Sequence, residues 1–116
     1  MEKVTKVRIP LYHGILRIVI SDDFTKSSKK LNIDNEGHDL SMFGAFVTTS
    51  IDDNRETNFN VFFAPDVEHD SIAHEVVHLV NAIYISRRIT LDPNNDEPQA
   101  YLTGWITGAI YRTIKK

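Results

Sequence analysis

Cysteine is absent from this 116-residue chain, which excludes disulfide staples and every thiolate metal site. A bound metal ion would therefore need nitrogen and oxygen ligands from His, Asp and Glu. Long hydrophobic runs are missing too. No stretch approaches the roughly 18 apolar residues of a membrane span. The opening MEKVTKVRIPLYHG alternates charged and apolar residues and lacks the apolar core of a signal peptide. A soluble, cytoplasmic protein is the expectation. An excess of positive charge is also lacking: 13 Lys and Arg face 16 Asp and Glu, for a net charge of −3. Basic residues form no dense run beyond short stretches such as Lys29-Lys30 and Lys115-Lys116, so no nucleic-acid partner is expected.

What is present suits one compact domain over residues 1–116, with 41% hydrophobic and 25% charged residues and no internal repeat. Val7, Ile9 and Leu11 alternate with Arg8, Pro10 and Tyr12, and ILRIVI over 15–20 is β-branched. These predict two strands joined by a two-residue turn at His13-Gly14, with Pro10 placing the first at a sheet edge. The polar stretch 21–37 predicts a short helix with Phe24 and Leu31 turned inward. MFGAFVTTSI (Met42–Ile51) and FNVFFA (Phe59–Ala64) predict a second antiparallel pair around DDNRETN.

After Pro65 the apolar period becomes helical, through Ile72, Val76, Leu79, Val80 and Ile83, with Asp70 or Ser71 placed to cap. A last helix is predicted from about Asp96 to Lys116. A small sheet of about four strands followed by two helices makes an α+β domain.

The first of these helices carries IAHEVVHLV, residues 72–80. On an ideal wheel its apolar side chains fill an arc of roughly 160°, and His74 and His78 lie on the opposite side, about 40° apart. Imidazoles at i and i+4 can share one metal ion, with Glu75 reaching to its side. Random placement of 5 histidines and 6 glutamates yields HExxH in roughly one shuffled sequence in a hundred, so chance is a weak explanation.

Eighteen residues separate His78 from Glu97, enough to finish one helix, turn and begin another. Pro98 suits a first helical turn, and Asn95, Asp96 or Glu97 itself could cap it. The stripe of Glu97 also carries Tyr101, Gly104 and Gly108, the glycines suggesting close helix packing or clearance for a substrate. Trp105 is expected in the core or on a cleft wall.

HEVVH followed at this distance by Glu97 resembles the gluzincin clan of zinc metallopeptidases, and DEPQAYLTGWI resembles small metallopeptidase-like proteins of tailed bacteriophages and prophages. The match covers residues 72–110. It implies a minimal zincin-like fold, a zinc ion held by His74, His78 and Glu97, and Glu75 as general base for peptide-bond hydrolysis. The implied partner is a peptide or protein substrate laid along an exposed strand, either Met42–Ile51 or Phe59–Ala64. Where thermolysin-like members carry an aspartate four residues beyond the glutamate, this chain has Tyr101. Asp96 or a backbone carbonyl would then orient the first histidine. Tyr101 is the first candidate to stabilise the oxyanion, with His69, His13 and His38 behind it. Two other readings stay open: a phage binding or assembly module stabilised by a metal, and a helix with metal-free surface histidines.

Overall fold

The computed structural model describes residues 2–33 and 44–116. Four seven-residue strands, β1 (Glu2–Arg8), β2 (Ile15–Ser21), β3 (Ala45–Ile51) and β4 (Thr57–Phe63), form one mixed sheet in the order β1-β2-β4-β3. β1 pairs antiparallel with β2, β2 parallel with β4, and β4 antiparallel with β3. A short helix α1 (Phe24–Lys30) follows β2, and two 18-residue helices, α2 (His69–Ser86) and α3 (Glu97–Ile114), complete the α+β domain.

Strand periodicity sorts the sheet into two faces. Leu16, Ile18, Ile20, Phe59, Val61 and Phe63 point to one face and join Ile72, Val76, Leu79, Ile83, Leu102, Ile106 and Ile110 in the main core. Val19 and Phe62 point to the other, where Phe24 and Ile33 cover them and Leu31 packs alongside. The layers are therefore α1, sheet, and the α2–α3 pair.

The β1–β2 connection departs from the expected two-residue turn. β1 ends at Arg8, and a six-residue loop is closed by the Ile9 amide donating to the Gly14 carbonyl at 3.0 Å. Ile9 still plugs the core, but Leu11 has φ of 65° and is 89% exposed. Pro10 causes the break, because it lacks an amide for the ladder and the chain reverses past it, the Tyr12 amide bonding the Pro10 carbonyl at 2.7 Å. Pro10 thus lies in the loop, although β1 is the edge strand expected.

The α2 boundary also shifts: Glu68 occupies the N-cap position, placing Asp70 in the first turn rather than at the cap. There its carboxylate faces the positive end of the helix dipole. Asp96 occupies the N-cap of α3, followed by Glu97 and Pro98.

Two glycines have opposite roles. At Gly14, φ is 91° and an added Cβ would meet Arg87, Phe59 and the Thr57 carbonyl, each at 3.0 Å. At Gly104 an added Cβ meets nothing within 4 Å, and at Gly108 it meets only the Arg112 side chain, so neither glycine serves close approach of a second helix. Gly14→Ala should lower unfolding free energy by about 1–3 kcal/mol, and Gly104→Ala should raise it by up to about 1 kcal/mol, in chemical denaturation.

The Tyr84 hydroxyl, 3.3 Å from that of Tyr12, is pushed up to about 12 by burial and by that contact. Since its unfolded value is about 10, its contribution is complete below pH 10 and is lost as pH rises through 12. A stability profile should decline over that window, less steeply in Tyr84→Phe.

Candidate metal centre

α2 presents its histidines because of what its opposite side buries. Ile72, Val76, Leu79, Val80 and Ile83 are all at most 2% exposed, and this packing leaves His74 and His78 on the solvent side. One helical turn apart, their rings meet edge to face, with centroids 4.8 Å apart and planes at 73°. The two Nε2 atoms lie 3.2 Å apart. Two nitrogens bound to one tetrahedral zinc at about 2.05 Å would be about 3.3 Å apart, so the pair fits two coordination positions of one ion. The same spacing also allows a hydrogen bond between one protonated and one free nitrogen.

Glu75 turns inward, between α2 and the sheet. Its side chain is 9% exposed and its Oε2 lies 3.8 Å from the His74 Nε2. Among the described residues its carboxylate accepts no hydrogen bond, and it borders open space beside His74.

That space is an open groove. One depression of about 520 Å³ runs between α2 and β3, lined by Ala45–Thr49, His74, Glu75, His78 and Ala82. A second, of about 650 Å³, shares Ala45, His74 and Glu75 and extends to Gly44, Ala64, Asp66, Glu68, Asp70 and Ser71. Small side chains at 44, 45, 64 and 82 leave the room. Among the described residues β3 ends the sheet order, so the groove lies against an edge strand, whereas β4 is interior. Of the two strands expected to receive a substrate, only β3 is placed to do so.

The remaining candidates are elsewhere. Glu97 and Tyr101 line a separate apolar groove of about 490 Å³ with Pro10, Leu11, Tyr12, Pro98, Leu102 and Trp105. The antiparallel packing of the helices accounts for this. His69 at the start of α2 stacks on Tyr111 near the end of α3, and the Tyr84 end of α2 meets the same loop that borders Glu97. His78 lies six residues before Tyr84, about 9 Å back along the axis. Among the described residues, no set of three His, Asp or Glu side chains is placed to hold one metal ion together. The structure thus assembles His74, Glu75 and His78 but does not bring Glu97 or Tyr101 to them. His69 is engaged with Tyr111, His13 is exposed in the β1–β2 loop, and His38 is outside the described residues.

Sequence reasoning passed over Asp66 and Glu68 and treated Asp70 only as a cap. Their alternate spacing at 66, 68 and 70, around the start of α2, was the available signal. Comparison with protein-family models, curated proteins and solved structures finds no match for the chain.

The convergence of the two nitrogens predicts that protein purified without a histidine tag takes up zinc. Calorimetric titration should show His74→Ala and His78→Ala each weakening that binding at least about tenfold, with the fold intact because both side chains are exposed.

Proposed function

We propose that the chain is a compact zinc metallopeptidase that hydrolyses a peptide bond in the groove between α2 and β3. The observation carrying this reading is the pair of Nε2 atoms 3.2 Å apart with a buried carboxylate 3.8 Å from one of them. His74 and His78 would hold the ion. Zinc in such a position supplies Lewis acidity, polarising a carbonyl and lowering the pKa of water towards about 7. Glu75 takes the proton from the attacking water and passes it to the departing amine. The edge of β3, unpaired among the described residues, can hold an extended peptide by backbone hydrogen bonds beside these groups.

Catalytic zinc sites usually keep three protein ligands. Glu97 is the proposed third, on the resemblance to gluzincins. Every residue from Arg88 to Pro98 is exposed, so re-laying the start of α3 towards the histidines would sacrifice little buried surface. The second reading, a non-catalytic binding or assembly module with a metal for stability, draws on the separation of Glu97 from the pair. It needs only the two histidines.

Glu75→Gln separates chemistry from metal binding. Zinc affinity should stay within about threefold while peptide hydrolysis falls by about 10²–10⁴; unchanged hydrolysis would remove Glu75 from the mechanism. Glu97→Ala tests the ligand count. The metallopeptidase reading expects at least tenfold weaker zinc binding and no turnover, whereas the two-histidine module expects unaltered affinity and no hydrolysis in either protein.

A further inference from the structure

The groove has two chemically different ends. Along β3 it is lined by Ala45, Phe46, Val47, Thr48 and Thr49, none of which carries a charge. Towards the start of α2 it is lined by Asp66, Glu68 and Asp70, with no lysine or arginine among the described residues of its walls. All three residues are exposed. Among the described residues, neither lysine nor arginine pairs with any of them, and Asp70 has only a local contact, accepting from the Ser71 amide at 2.9 Å. The α2 dipole offsets roughly half a positive charge there, against three carboxylates. That end of the groove is therefore negative.

A second observation ties this charge to a ligand. The Glu75 side chain, nine-tenths buried, aims into the same depression and accepts no hydrogen bond among the described residues. The rim carboxylates and the buried one share a single continuous space with His74. Whatever occupies it next to Glu75 extends towards Asp66, Glu68 and Asp70.

We propose that this end of the groove is a specificity subsite for a basic side chain, so that the substrate is a peptide with lysine or arginine on one side of the scissile bond. The proposal rests on the metallopeptidase reading and narrows its substrate class. A long cationic side chain reaches the rim while its backbone stays beside Glu75, and its ammonium or guanidinium meets carboxylates without cationic partners among the described residues. A substrate carboxylate in that position would be repelled by all three. Because the rim is exposed, the preference is electrostatic and falls as salt rises.

The test uses the zinc-loaded full chain and a peptide library, with cleavage sites mapped by mass spectrometry. Matched quenched peptides carrying Lys, Gln or Glu at the preferred position then follow. The Lys peptide should exceed the Gln peptide in kcat/KM by about tenfold at about 50 mM salt, the ratio shrinking at about 500 mM. In Asp66→Asn/Glu68→Gln/Asp70→Asn the ratio should fall to within about twofold. The double variant that keeps Asp70 should lie between, which guards against loss of the charge that Asp70 sets against the α2 dipole. Equal rates for Lys and Glu peptides, or a Lys preference that survives the triple variant, would overturn the subsite. Fluorescence anisotropy of the same peptides on the Glu75→Gln protein reads the subsite without turnover. If no peptide is cleaved, the metallopeptidase reading fails; a Lys preference in binding that the triple variant abolishes would still sustain the cationic subsite, and its absence would end it.

Discussion

Burial of one face of α2 against the sheet is the constraint on which the rest of the molecule depends. Ile72, Val76, Leu79 and Ile83 leave water almost completely. Each such side chain contributes about 1.5–3 kcal/mol in transfer terms. Rotating the helix to bury its histidines would forfeit that sum and place two polar rings in an apolar layer. The fixed rotation turns His74 and His78 to solvent, sets Glu75 at the boundary, and defines which side of the helix faces β3.

The groove follows from that rotation together with residue size. Phe59, Val61 and Phe63 fill the core beneath the sheet, whereas Gly44, Ala45, Ala64 and Ala82 border the space beside the histidines. Large side chains hold the framework and small ones leave the opening. Glu75 fits the same logic: its side chain is 9% exposed, lines the opening and accepts no hydrogen bond among the described residues. The acidic rim gives the opening a polarity along its length.

Much of the architecture was legible along the chain. The β-branched run at 15–20 and the phenylalanines of FNVFFA mark strands buried on both faces, and the helical spacing after Pro65 marks α2. The end of β1 was less legible, because alternation carries through Ile9 to Leu11 while Pro10 and the positive φ values at Leu11 and His13 turn the backbone away. Gly104 and Gly108 suggested close packing by spacing on one stripe, yet α3 directs that stripe away from any partner helix.

The sequence by itself determined the pairing of His74 with His78, since four residues make one helical turn and side chains so spaced share a face in any α-helix. It also determined that Glu75 would stand to one side of them, by the same geometry. Only the tertiary structure decided where Glu97 and Tyr101 lie and which carboxylates share the groove. Those relations depend on how the antiparallel α2–α3 pair is set against the sheet, and eighteen intervening residues permit more than one placement. Local periodicity is intrinsic to the chain. The distance between elements is set by the core they share.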